Sequence, residues 1–225
     1  MGENINYPGL FIVLDGIDGC GKSTQTALIS DYFLENQIKV LKTAEPSNGD
    51  LGKILRKILK DPETPAALDS LVFAADRIDH CNSEILPALQ EGKIVLSDRY
   101  RESSYVYQSI QGQSSGITLD WIKKLNKFSL EPDLTFILDL DPKIALERKF
   151  KQNQEAGAEM EKFENINFQN AIRKAFLDLA TGEEKIEKKN TTLKYIIIDA
   201  NQDIDCIFNQ ILSIIIEKAK EKQIL

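Results

Sequence analysis

The sequence is short of cysteine, of histidine and of positive charge, and each shortage removes a class of function. Its three cysteines, Cys20, Cys81 and Cys206, are odd in number and lack C-x-x-C spacing, which argues against a disulfide framework or a zinc site and predicts reduced thiols. A single histidine, His80, leaves little capacity for imidazole catalysis, and that residue is expected in helix packing or at the surface. The formal net charge of -7 speaks against nucleic acid or an anionic membrane as partner, since both select basic surfaces. An anionic ligand must therefore be held by local groups. No stretch of about twenty apolar residues occurs, and the opening M-G-E-N-I-N-Y-P-G has no basic region followed by an apolar run. A soluble, cytoplasmic chain is expected, and 225 residues suit one domain spanning 1–225.

What is present is an alternation of strand and helix patterns. Continuous branched apolar runs at Leu10 to Leu14, Ile38 to Thr43, Ile94 to Ser97, Leu134 to Leu138 and Tyr195 to Ile198 predict strands covered on both faces. Helical patterns lie between and after them, at Thr24 to Leu34, Ile54 to Leu59, Leu68 to Leu89, Leu119 to Leu125, Ile144 to Phe150, Phe168 to Leu179 and Ile204 to Ile216. This order predicts an α/β fold: a five-stranded parallel sheet covered by helices, with ligands beyond the carboxyl ends of the strands. The charged stretch from about 148 to 164 reads either as a solvated connection or as a lid.

Directly after the first strand stands G-I-D-G-C-G-K-S, Gly16 to Ser23, a full match to G-x-x-x-x-G-K-[ST] with a helical pattern behind it. Background composition would produce this string in roughly one chain of this length in a hundred. The glycines let successive N–H groups of Gly16, Ile17, Asp18, Gly19, Cys20 and Gly21 turn inward toward phosphate oxygens, and the helix opening at Lys22, Ser23 and Thr24 adds its N-terminal partial charge. Lys22 supplies a full charge toward the β- and γ-phosphates, and the Ser23 hydroxyl suits magnesium. ATP with Mg2+ is the expected pair.

A GTP-binding switch is the leading alternative of another class. It would carry N-K-x-D, and the nearest string, Asn126-Lys127-Phe128-Ser129, lacks the acid that accepts from guanine. A second informative string, Ser97-Asp98-Arg99-Tyr100, ends the third strand: Arg99 can grip a phosphate and Asp98 can orient magnesium or its waters. On the helix beginning at Leu68, the residues Leu68, Leu71, Val72, Ala75 and Ile78 have the spacing of a buried stripe. Phe73 and Arg77 then fall on the opposite side, one turn apart, where a planar base could stack on the ring and accept from the guanidinium.

Together these strings resemble the thymidylate kinase family over nearly the whole chain: F-I-V-L-D-G-I-D-G-C-G-K-S-T-Q, Glu45-Pro46, F-A-A-D-R at Phe73 to Arg77, and D-R-Y-R-E-S-S-Y-V-Y-Q at Asp98 to Gln108. The resemblance implies transfer of the γ-phosphoryl group of ATP to dTMP by a homodimer that uses the helix around Leu68 to His80. It implies that Phe73 stacks on thymine, Arg77 bonds the base's carbonyl edge, and Arg99 clamps the acceptor phosphate. By the same likeness Asp18 lies near the sugar 3'-hydroxyl and magnesium, Ser104 and Gln108 help read the base, and Tyr107 packs where a ribose 2'-hydroxyl would project. Phe163-Glu164 matches a pair after the lid, with Glu164 near the acceptor phosphate, and Asp199-Ala200 resembles the adenine-pocket segment.

The chain departs from the family pattern in three places. Ala44 stands where many members have Arg before Glu-Pro. Gly19 occupies a loop position that is basic in one subgroup, which implies the other subgroup, whose lid supplies arginines. The lid here offers only Arg148, Lys149, Lys151 and Lys162, of which Arg148 is the best positional match for a catalytic residue. The other kinase reading is a different deoxynucleotide or deoxynucleoside kinase; a nucleoside acceptor would need a carboxylate base, a role open to Asp18 or Glu45.

Overall fold

The computed structural model describes residues 7–61, 63–156, 165–182 and 195–225, with backbone alone for 152–156. Five strands, β1 (Leu10–Gly16), β2 (Val40–Ala44), β3 (Ile94–Asp98), β4 (Leu134–Asp139) and β5 (Tyr195–Asp199), form one sheet in the order β2-β3-β1-β4-β5, and every pairing is parallel. Each predicted strand is present, displaced by no more than two residues at either end. Ile12 stands in register with both Leu96 and Leu134, and Leu14 with both Asp98 and Phe136. All seven residues of β1 are buried, as the uninterrupted apolar run requires of a central strand with both faces covered.

The period of two divides β1 between two apolar clusters. Leu10, Ile12 and Leu14 join Ile29 and Phe33 of α1 (Lys22–Glu35) and Ile207, Ile211 and Ile215 of α9 (Ile204–Glu221). Phe11 and Val13 pack instead with Cys81, Ile85, Ala88, Leu89, Val95 and Tyr100. Asp15 shares the parity of Phe11 and Val13, so its carboxyl points to the face where α5 (Arg101–Gln111) begins.

The remaining helices are α2 (Asp50–Ile58), α3 (Ala66–His80), α4 (Leu86–Gln90), α6 (Leu119–Leu125), α7 (Pro142–Ala156) and α8 (Ile166–Thr181). The helix predicted over Leu68 to Leu89 is continuous but not uniform: α3 passes into α4 through a π-turn at Cys81–Ile85. That wider turn accommodates Pro87, which has no N–H and whose ring would strike the carbonyl one turn back in an uninterrupted α ladder. Side-chain and glycine caps close other ends. Asn165 Oδ1 accepts from Asn167 N at 2.8 Å, and Gly182, at φ 63°, terminates α8.

The face of α3 is the reverse of that predicted. Leu68 and Leu71 are 43% and 49% exposed, whereas Asp69, Ser70, Asp76, Arg77 and His80 are buried. The three-and-four spacing of the apolar residues is real, but that stripe faces outward. The core side of the helix is polar because it meets hydrogen-bonding partners rather than aliphatic ones: Thr43 of β2, Glu45 and Ser47 just after it, and Ser104 and Gln111 of α5.

The strand order fixes the location of a crevice. From β1 the chain crosses to β2 on one side, and from β3 it crosses to β4 on the other, so the two connections part at the carboxyl ends of adjacent strands. Among the described residues no helix is long and apolar enough to cross a membrane.

Candidate active site

The glycine-rich loop occupies that crevice. Gly16, at φ 139°, ends β1 so close to β4 that a Cβ would stand 2.6 Å from the Leu138 carbonyl oxygen. Gly21 at φ 102° turns the chain into α1. Lys22 is buried, with Nζ donating to the carbonyls of Ile17 at 2.8 Å and Gly16 at 3.1 Å. Cys20 is buried beneath it, its Sγ 3.7 Å from Lys22 Nζ. Burial pushes that thiol up from its ordinary value. A cavity of about 610 Å³ opens above the loop, lined by Asp18 to Gln25, Asp98, Arg99, Arg148, Lys149 and residues Gln202, Asp203, Ile204 and Ile207.

The corner after β3 closes on the loop from the adjacent strand. Ser23 Oγ donates to Asp98 Oδ2, and the other Asp98 oxygen is buried without a partner among the described residues. Arg99 sits in the left-handed region at φ 69°, an uncommon state for a residue with a side chain and one that persists where the surroundings hold it. Its N–H donates to Leu14 O at 2.9 Å, and its guanidinium bonds Asp18 and, at 3.1 Å, Ser103 Oγ. The guanidinium also lies 5.3 Å from the Tyr107 ring centre. Burial would raise the Asp18 carboxyl, but Arg99, then Lys22 and Lys149, overcome it and hold it down at about 2. Ser103 continues the chain of bonds, donating at 2.7 Å to Asp15 Oδ1, which also accepts from Gly16 N at 2.9 Å. One sequence of contacts thus runs from the loop through Asp15, Ser103 and Arg99 back to Asp18.

The second cluster surrounds Arg77, which is 1% exposed and so does not lie on a face left free by the core, as the sequence led one to expect. Its Nε and Nη2 bond Glu45 Oε2 at 2.8 and 2.6 Å, Nη1 donates to Asn126 Oδ1, and Nη2 also approaches Tyr100 O and Ser104 Oγ at 3.2 Å. Phe73, one turn earlier, is half-buried, and Gln108 is buried on α5. Tyr107 packs edge-on against Phe176.

The cations of α7 separate. Arg148 reaches Ala200 O at 3.4 Å, beside the segment that leads into α9, while Lys149 Nζ stands 3.7 Å from Asp18 Oδ2. Lys149 rather than Arg148 is therefore the cation beside the glycine-rich loop. Lys151 is exposed on α7; Lys162, Phe163 and Glu164 lie outside the described residues. At Gly19, φ 81°, an added Cβ would come within 2.2 Å of the Ala145 carbonyl oxygen of α7, so the loop position that is basic in one subgroup has no room for a side chain here.

Asp15, Ser103, Gln202, Asp203, Ile204 and Ile207 join the site without having been singled out for it in the sequence. Asp15 carried one usable signal, an ionisable residue at the end of an otherwise apolar central strand. Asn126 stood in plain view as part of the failed N-K-x-D string, and its position on Arg77 removes it from any guanine-reading role.

A family model described as thymidylate kinase matches residues 14–211. The chain is 35% identical over 215 residues to a protein of Thermococcus kodakarensis named "Probable thymidylate kinase", covering 92% of this chain and 97% of that one. It is 36% identical over 217 residues to a protein of the same name from Staphylothermus marinus, covering 96% and 98%. It is 36% identical over 208 residues to the "Thymidylate kinase" of Halothermothrix orenii, covering 90% and 94%.

The geometry sets two expectations. Gly19→Arg should lower unfolding free energy by about 2–4 kcal/mol in urea titration, because it combines a positive φ with a backbone clash; an unchanged midpoint would mean that α7 yields freely. Burial pushes the Asp15 carboxyl up to about 6, against the pull of Arg99 and Lys22. The folded chain then holds this proton more tightly than the unfolded chain, whose carboxyl titrates at about 3.9. The stability Asp15 contributes is fullest below the unfolded value and is lost as pH rises through about 6. Asp15→Asn should remove on the order of 3 kcal/mol of that decline, seen as a flatter dependence of thermal midpoint on pH; an unaltered slope would contradict it.

Proposed function

The chain belongs to the thymidylate kinase family, and from that premise we propose that it transfers the γ-phosphoryl group of ATP to the 5'-phosphate of dTMP, yielding ADP and dTDP. It is an ATP-dependent nucleoside monophosphate kinase, a transferase. The observation that carries the assignment of the site is the meeting of two strand ends: the loop after β1 bonds the corner after β3 at Ser23–Asp98 and at Asp18–Arg99.

The donor phosphates would lie on the main-chain amides of Gly16 to Ser23, with Lys22 leaving its loop carbonyls for the β- and γ-phosphates. Arg99 would hold the acceptor phosphate, and Asp18 would hold Arg99 in place while accepting from the sugar 3'-hydroxyl. Phe73 would stack on thymine, with Arg77, Ser104 and Gln108 at its polar edge and Tyr107 closing the space of a ribose 2'-hydroxyl. Arg148 would serve the adenosine end of the cavity and Lys149 the phosphates; Glu164 is assigned to the acceptor phosphate on the family likeness alone. The hydroxyl of Ser23 and the buried Asp98 oxygen that has no partner among the described residues are hard donors that would hold Mg2+. When bound, the ion neutralises charge on the phosphate chain.

A phosphate monoester has its second pKa at about 6, so the attacking oxygen is already ionised at neutral pH. No general base is needed, and catalysis rests on aligning two anions and offsetting their charge. The site supports a nucleotide rather than a nucleoside acceptor on this point. Asp18, held at about 2, is a weak base, and Glu45 is occupied by Arg77.

A homodimer is part of the same reading. The outward stripe of Leu68 and Leu71 with Val72, Ala75 and Ile78 has the composition of a subunit contact.

Incubation with ATP, magnesium and dTMP should yield dTDP, whereas dGMP and thymidine should react poorly; failure with dTMP would sink the assignment. Lys22→Ala should reduce kcat by at least about a hundredfold with the fold intact by circular dichroism, and Phe73→Ala should raise the KM for dTMP by about tenfold while leaving that for ATP alone. Leu71→Glu should convert a dimer to a monomer in analytical ultracentrifugation; an unchanged sedimentation coefficient would place the subunit contact elsewhere.

A further inference from the structure

The sole histidine is not a packing residue. His80 is buried at the end of α3, and both of its ring nitrogens face oxygen atoms. Nδ1 stands 3.4 Å from Glu45 Oε1; Nε2 stands 3.0 Å from Glu84 Oε2 and 2.8 Å from Thr43 Oγ1. Thr43 has one hydroxyl proton, and it is directed at Glu84 Oε2 across 3.0 Å. Thr43 and Glu84 therefore offer only lone pairs to Nε2, and Glu45 offers only lone pairs to Nδ1. A ring with acceptors on both sides is satisfied by two protons.

Glu45 divides its oxygens. Oε1 faces His80, and Oε2 takes both Nε and Nη2 of Arg77. Arg77 in turn bonds Asn126 and Ser104, leaving one Nη1 hydrogen without a bond among the described residues. The direction of that donor is set by the carboxylate behind it, and the carboxylate by the imidazole behind that.

We propose that His80 is a positioning residue for acceptor recognition: an imidazolium clamped between Glu84 and Glu45 that fixes the Glu45 carboxylate and, through it, the guanidinium of Arg77. The inference rests on the acceptor-site reading given above. The charged groups facing the ring are Glu45 from the segment after β2, Glu84 from the π-turn, and Asp76 and Arg77 from α3. Burial works against the charged ring, but the bond to Glu45 and the charges of Glu45, Glu84 and Asp76 outweigh it and raise its titration. The ordered state is present below that raised value and is lost as pH climbs through it.

Because the chain holds one histidine, its ring proton resonance is unambiguous, and the test combines its NMR titration with steady-state kinetics. The wild-type midpoint should lie above the ordinary value of about 6.5, and Glu84→Gln should lower it. The KM for dTMP should rise with pH through the same midpoint. His80→Gln should raise that KM by about tenfold, abolish its pH dependence and leave the KM for ATP within about twofold. Should His80→Gln fail to fold, Glu84→Gln, altered at a half-exposed residue, must still shift the midpoint and the dTMP profile together. A midpoint at or below the ordinary value, an unmoved KM for dTMP, or equal losses toward ATP and dTMP would overturn the proposal. Wild-type enzyme inert toward dTMP would instead condemn the functional reading, with the titration still deciding the ionisation of His80.

Discussion

The contact between Asp18 and Arg99 is the constraint on which the site depends. Each residue belongs to a segment that bare chain physics would not hold still: one to a glycine-rich loop, the other to a strand end in a left-handed conformation. Their opposite charges lock the two segments together in a setting where neither is more than about a quarter exposed. Asp15 and Ser103 reinforce the same junction from beneath, through the first glycine of the loop. An anion arriving at this crevice meets donors already aimed, which is the condition for electrostatic catalysis without reorganisation.

The fold was legible because its signals are local or periodic. Five apolar runs separated by helical patterns admit few arrangements other than a parallel sheet, and G-I-D-G-C-G-K-S between a strand and a helix identifies its own position. The face of α3 was not legible. Periodicity finds a stripe but does not say whether it points at the core, and here the core side is built from Asp76, Arg77 and His80. Helix α5 escaped for a related reason. Its first eight residues are all buried although Arg101, Glu102, Ser103, Ser104 and Gln108 are polar, so no apolar stripe marks it. Such a helix becomes intelligible only when its partners, Asp15, Arg77 and Glu131, are known, and those lie far away in sequence.

Two contacts, one made by α3 and one by α5, illustrate how buried charge confers geometry. Arg77 donates two bonds to Glu45 in a nearly dry environment, where an ion pair gains little net stability over well-packed apolar groups but is costly to break. What such a pair provides is direction. A leucine at position 77 could fill the same space in several rotamers, whereas a guanidinium bound on two edges has one orientation. The same reasoning applies to Tyr107, whose ring is set by Arg99 on one side and Phe176 on another.

The bareness of Gly19 and the distribution of cations on α7 are one structural fact rather than two. The Ala145 carbonyl rests against Gly19 so closely that no Cβ fits between them, which brings α7 directly over the loop. Residues three and four positions further along a helix share the face of the first, so Arg148 and Lys149 follow Ala145 onto the cavity. One turn of helix then spans the distance from Asp18, beneath Lys149, to Ala200, beneath Arg148. A basic side chain at position 19 would supply charge from the loop and push the helix away, removing the two cations it was meant to supplement. A chain that takes its positive charge from α7 must therefore keep the loop bare, and the glycine is the requirement that this choice of charge donor imposes.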